Sequence, residues 1–177
     1  EELAQEGYFD GILDLATHEL ADHLMKGYCG NIGPHRFLPV PGKSLPRLVV
    51  PGGLDCAVLE FDRHNVPEQY RDRKIFFYDF RSAIRLNEVE TKTIARQLSA
   101  RLNPAGELVK VLIPMQGWSV ADHIDGPLYD PDMNDLFIQT FTQNLSPTIL
   151  ILKENFHIND RPFAIKVADI MDEMIAP

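Results

Sequence analysis

Gly117-Trp118-Ser119-Val120-Ala121 approximates the nucleophile elbow G-x-S-x-G, with Ala in place of the last Gly. Asp130, Asp135 and His157 follow it, so the chain order Ser, Asp, His matches that of α/β-hydrolases. In such a triad the histidine takes the serine proton and the acid orients the imidazole. One expectation is therefore a hydrolase or other enzyme using His157 with Asp55 or Ser119. Two features oppose the elbow. Pro114 separates the preceding apolar run from the motif, and Asp122 to Gly126 reads as loop where an elbow runs straight into a helix.

A second stretch points to binding rather than reaction. The apolar run Leu48-Val49-Val50 stops at Pro51-Gly52-Gly53-Leu54-Asp55. Glycines at a strand end allow positive φ and bring bare backbone close to whatever lies above it. Pro41-Gly42-Lys43-Ser44 mimics the tail of a phosphate-binding P-loop, but position 37 is Phe where that motif needs Gly. It also precedes a strand instead of following one, and the motif is rejected. No metal set has ligand spacing. His18 and His23 diverge on a helix, and His18, His123 and His157 have nothing to fix them together. Cys29 and Cys56 form no C-x-x-C. Cys56 reads as a small buried thiol.

The elements that must hold these residues follow from periodicity and punctuation. Residues 1–7 read as a helix end. Strands are expected over 9–16, 48–50, 74–78, 108–113 and 148–152. Thr17 is placed to cap a helix ending near Gly27, with Leu20, Ala21, Leu24 and Met25 on one face. A short helix is expected to start within 54–61. Asn87 and Glu90 have capping-box spacing ahead of the Ile94, Leu98, Leu102 stripe. Asp130-Pro131 opens another helix, and Asn159 or Asp160 caps the last. Strands that are continuous apolar runs and alternate with helices indicate a parallel sheet covered on both faces. The expected fold is α/β, a Rossmann-like three-layer α/β/α domain over residues 1–177 with a mainly parallel sheet of about five strands.

Ligands of such sheets bind at the carboxyl ends of the strands. The polar residues gather there: Asp14, Thr17, His18 and Glu19; Gly52, Gly53 and Asp55; Gln116, Gly117 and Ser119; and Asn155, His157, Asn159 and Asp160. The expected ligand-binding set is Thr17, Gly52, Gly53, Asp55, Gln116, Gly117, Ser119, His157, Asn159 and Asp160. Helix N-termini pointing to the same edge favour a phosphate or carboxylate.

The 177 residues suffice for one domain with a core; 45% are hydrophobic and 24% charged, as in soluble globular proteins. The formal net charge of −9 argues against nucleic acid or an anionic membrane as partner. Two cysteines fit a reducing cytoplasm. The chain opens on Glu and enters a strand almost at once, as an excised domain would.

The motifs Phe9-Asp10-Gly11-Ile12-Leu13-Asp14-Leu15, Val49-Val50-Pro51-Gly52-Gly53-Leu54-Asp55, Val66-Pro67-Glu68-Gln69-Tyr70, Gly117-Trp118-Ser119 and His157-Ile158-Asn159-Asp160 occur in this order. Together they resemble the C-terminal domain of the tobamovirus-resistance ATP-binding family, which includes a tomato antiviral protein. The resemblance implies a two-domain protein with this chain as the second Rossmann-like half. It further implies a homodimer, and a site for ATP or another nucleotide held mainly by the missing N-terminal domain. It implies shared residues Gly52, Gly53, Asp55, Gly117, Ser119, His157, Asn159 and Asp160. His18 replaces a family Thr, and Asp79-Phe80-Arg81 replaces a family His-Asn-Pro. Pro39 and Pro41 stand in place of an Ala-rich helix, and Cys56 in place of a common Met. The leading expectation is a cytoplasmic half-site for a nucleotide or other small phosphorylated molecule. An interaction or scaffold protein, as the antiviral relative suggests, is the other non-enzymatic reading.

Overall fold

A computed structural model describes residues 2–176. In chain order the elements are α1 (Glu2–Gln5), β1 (Ile12–Ala16), α2 (Glu19–Met25), β2 (Arg47–Gly52), β3 (Cys56–Leu59), β4 (Ile75–Phe77) and β5 (Ser82–Arg85). They continue with α3 (Glu88–Leu102), β6 (Val109–Pro114), α4 (Pro131–Asn144), β7 (Leu150–Glu154) and α5 (Arg161–Ile175). The helix end expected over 1–7 is α1; Glu1 lies outside the described residues.

Strands β1-β2-β6-β7 form one parallel sheet in that order. Leu13 pairs with Leu48, Val49 with Val111, and Leu112 with Leu152. Each new strand adds to the same edge. Right-handed crossovers then place the connecting helices on one face. There α2 packs on α3 and α3 on α4, enclosing Leu20, Val49, Ile94, Leu98, Val111, Phe137 and Phe141. Helix α5 covers the other face, setting Phe163, Val167 and Ile170 on Leu48, Val50 and Leu112. Side chains alternate along a strand, so Leu48 and Val50 point to α5 while Val49 points to the opposite layer. Both layers are buried, which is why this run is continuously apolar.

The parallel sheet has four strands. The expected third strand is β4, and it lies in a separate antiparallel sheet of order β3-β5-β4. Cys56 pairs with Arg85 and Ile75 with Ile84. A parallel strand at this point would need a crossover connection, usually helical. Between β2 and β4 the single 3-10 turn Glu68–Tyr70 is the only helical element among the described residues, so the chain folds back on itself. The short helix expected within 54–61 is strand β3.

Helix caps divide the polar residues into two groups. Asn87 Oδ1 accepts from Glu90 N at 2.9 Å and Glu90 Oε2 accepts from Asn87 N at 2.8 Å, completing the capping box. Asp130 accepts from Met133 N at 3.3 Å. Thr17 does not cap α2; its hydroxyl donates to Val50 O at 3.2 Å. Asp160 occupies the N-cap position of α5 without a side-chain cap bond; it accepts from His157 N at 2.8 Å instead.

Candidate functional site

The loops leaving the four parallel strands are joined at the carboxyl edge by direct hydrogen bonds. Thr17 N donates to Gly52 O at 2.8 Å, linking the first two loops. Gly53 N donates to Trp118 O at 2.8 Å, linking the second to the third. Ile158 N donates to Gly117 O at 3.1 Å, linking the third to the fourth. The interlock leaves no room for side chains at its crossings. Gly117 has φ +126, and a Cβ there would lie 1.6 Å from Asp122 O and 2.8 Å from His157 Cδ2. Gly53 has φ +74, and its Cβ would lie 2.8 Å from His18 Cβ. Gly117 thus allows close packing against its own loop at Asp122 and against the His157 ring, and Gly53 against the His18 side chain. Trp118 anchors the third loop from below. Its Nε1 donates to Pro114 O at 2.8 Å and its ring meets Phe137 edge-on at 5.0 Å.

Ser119, Asp55 and His157 are neighbours, but they do not form a triad. Ser119 Oγ donates to Asp55 Oδ2 at 2.8 Å. His157 reaches the Ser119 backbone carbonyl, with Nε2 3.0 Å from that oxygen, and its Nδ1 accepts from Asn159 N at 3.1 Å. An Nδ1 that accepts a backbone N–H carries no proton, so the proton sits on Nε2 and points at the carbonyl. Both ring nitrogens are engaged, and neither takes the serine proton. After Ser119 the chain runs through turns until α4 begins at Pro131. The nucleophile elbow is therefore not formed.

Asp55 belongs to a buried charge cluster that the sequence motifs do not announce. Arg85 Nη1 lies 3.1 Å from Asp122 Oδ1 and 3.9 Å from Asp55 Oδ2. Its Nη2 donates to Asn134 Oδ1 at 2.5 Å and to Asp130 O at 3.1 Å. Asp122 Oδ2 accepts from Trp118 N at 3.1 Å and Asn134 Nδ2 at 2.9 Å. One guanidinium thus faces two carboxylates, and Asp55 Oδ1 is buried without a hydrogen-bond partner. Burial, and then the Asp122 charge, push the Asp55 carboxyl up from 3.8 to about 6 against the pull of Arg85 and Ser119. Cys56 is buried beside it and its thiol is pushed well up, chiefly by desolvation, in keeping with an inert role. The available signal was Arg85 itself, a charge inside the run Ser82-Ala83-Ile84-Arg85-Leu86.

The expected ligand set divides by exposure. Thr17, Gly52, Asp55 and Gly117 are buried within the interlock. Gly53, Ser119 and His157 reach the surface in part, and Gln116, Asn159 and Asp160 are exposed. Gln116 pairs with Asn155 at the rim, Nε2 to Oδ1 at 2.5 Å. His123 and His157 meet edge-on at 6.4 Å between ring centroids, whereas His18 turns to Asp22, Nδ1 to Oδ2 at 3.7 Å. A cavity of about 420 Å³ lined by Lys26, Tyr28, Leu59, Phe61 and Tyr70 contains none of the expected residues. A shallower one of about 380 Å³, between the end of β7 and the first turns of α5, borders them through Glu154, Phe156 and Arg161.

Comparison with known proteins gives the chain its relatives. The model of the uncharacterised protein family UPF0261, C-terminal domain, matches residues 1–175. A UPF0261 protein of Clostridium tetani is 28% identical over 178 residues, covering 99% of this chain and 43% of that protein. A UPF0261 protein of Rhizobium meliloti is 30% identical over 167 residues, covering 93% and 42%. The ToMV resistance protein Tm-1 of Solanum lycopersicum is 29% identical over 181 residues, covering 96% of this chain and 22% of that protein. The chain therefore spans less than half the length of these relatives. With nearly every residue matched and a four-stranded parallel sheet flanked by helices, the chain belongs to the UPF0261 C-terminal domain family.

Proposed function

We propose that the carboxyl edge of the parallel sheet is half of a binding site for a small phosphorylated molecule, a nucleotide or sugar phosphate, in a longer cytoplasmic protein. The observation that carries this reading is the convergence of all four strand-end loops on one surface, where Gly53 backbone, Ser119, His157 and Asn159 reach solvent. Open parallel sheets bind ligands at this edge. The second half comes from the part of the relatives that lies outside the matched region. The exposed Asn159 supplies hydrogen bonds, His157 lines the surface with both ring nitrogens engaged, and Asp55 sits below the surface and orients Ser119. The engaged nitrogens of His157 favour binding over hydrolysis.

Thermal unfolding of the chain joined to the rest of such a protein, with nucleotides and sugar phosphates at millimolar concentration, tests the reading. A ligand at 100 times its Kd adds about 2.7 kcal/mol. A flat response across the panel contradicts it.

A second reading has its own observation. On edge strand β1, Leu13 and Leu15 are 44% and 43% exposed, on the face that α5 covers for β2 and β6. Tyr8 and Phe9, just ahead of them, are 70% and 50% exposed. Contiguous exposed apolar residues mark contact surfaces. In this reading the remainder of the longer protein covers β1, and the β1 amides gain protection from hydrogen exchange in the joined protein with no ligand added.

A further inference from the structure

His18, Asp22 and Cys29 each offer one ligand atom, and the three atoms lie within 4.8 Å of one another. None of the motifs brings them together. His18 stands at the start of α2, Asp22 one turn later on the same side, and Cys29 in the loop that follows. The loop returns because Asp22 holds it: Oδ2 accepts from Cys29 N at 3.0 Å, and Oδ1 accepts from Val58 N at 2.7 Å. Asp22 is fully buried, whereas Cys29 is exposed. His18 Nδ1 is a buried atom with no hydrogen-bond partner, 3.7 Å from Asp22 Oδ2.

We propose that His18, Asp22 and Cys29 form a binding site for a zinc-class divalent cation. The donor set is imidazole nitrogen, thiolate sulfur and carboxylate oxygen. It selects zinc or cobalt and excludes magnesium and calcium, which take oxygen ligands. Zinc ligand bonds of about 2.0–2.3 Å in a tetrahedron set ligand atoms roughly 3.4–3.7 Å apart. His18 and Asp22 already stand at this spacing, and Cys29 closes the remainder by turning its exposed side chain. One thiolate and one carboxylate balance the cation's charge. The backbone N–H groups on Asp22 fix its carboxylate in the way outer-shell donors orient metal ligands.

Three protein ligands leave a fourth position for water or an anion. His18 is the residue whose Cβ lies against Gly53, which sets the site next to the loop surface described above. The metal site stands on its own geometry and does not rest on the ligand reading.

Cobalt titration of the reduced, chelator-stripped chain is the test. The expected result is one equivalent bound, a thiolate-to-cobalt charge-transfer band in the near ultraviolet, visible bands of tetrahedral intensity, and bleaching of both by zinc. Cys29→Ser abolishes the charge-transfer band. His18→Gln weakens cobalt and zinc binding by at least about tenfold. His64→Gln, at a histidine outside the three-residue cluster, changes neither. Both ligand variants alter solvent-reaching side chains, and circular dichroism of the metal-free forms matches the unaltered chain. The proposal is overturned by the absence of a charge-transfer band, by a band that persists in Cys29→Ser, or by unchanged affinity in His18→Gln.

Discussion

Asp55 carries a pH dependence whose sign follows from its surroundings. Its carboxyl is raised from 3.8 to about 6 in the folded chain, first by burial. Between these values the folded state binds more protons than the unfolded state. Stability therefore falls as pH rises from about 4 to about 6, and the loss persists above. Two pH units correspond to about 3 kcal/mol at most. Asp55→Asn keeps an oxygen to accept from Ser119 and removes the ionisation. Urea unfolding at pH 4 and pH 7 should show the variant gaining on the parent by up to that amount as pH rises. Ser119→Ala acts in the opposite sense. It removes the hydroxyl donor of Asp55, so the carboxyl titrates higher still, and stability drops by about 1–3 kcal/mol at neutral pH. Carboxyl-detected NMR titration of Asp55 checks the first effect, and denaturant unfolding the second. The sequence was enough to make Ser119, Asp55 and His157 neighbours, because each ends a parallel strand. It was not enough to show their bonds, since the donor of a serine or the tautomer of a histidine depends on backbone atoms from other loops.

At the scale of elements, β5 decides how much charge the core holds. Arg85 is the guanidinium between Asp55 and Asp122, and its removal leaves two buried carboxylates facing each other. Arg85→Met should cost about 3–5 kcal/mol, as broken buried pairs do. Adding Asp122→Asn should recover part of the loss. Thermal unfolding of the single and double variants measures both. This element was also hard to read. Ser82-Ala83-Ile84-Arg85 breaks the apolar run that marks a buried strand, and Cys56-Ala57-Val58-Leu59 is too short for periodicity to separate strand from helix. By contrast the starts of α3 and α4 were legible to the residue. Asn87 with Glu90 and Asp130 with Pro131 are local signals, and their caps close within the same turn. Thr17 carries the same signal and answers to a neighbouring strand end instead, its buried hydroxyl donating to Val50 O, while Asp160 turns back within its own loop to accept from His157 N.

For the whole molecule, the four-stranded sheet with helices on both faces places every loop of interest on one edge. That edge also carries the apolar residues Val120 and Ile124, both exposed. No helix among the described residues is long and apolar enough to cross a membrane. The surface of Gly53, Ser119, His157 and Asn159 is the part of the molecule on which the functional account stands. Backbone amide NMR of the chain joined to the rest of such a protein, titrated to millimolar levels with nucleotides and sugar phosphates, tests it most directly. The account predicts saturable shifts at Gly53, Ser119, His157 and Asn159 for at least one compound. Spectra unchanged across the panel, or shifts confined to the cavity of Lys26, Tyr28, Phe61 and Tyr70, would contradict it.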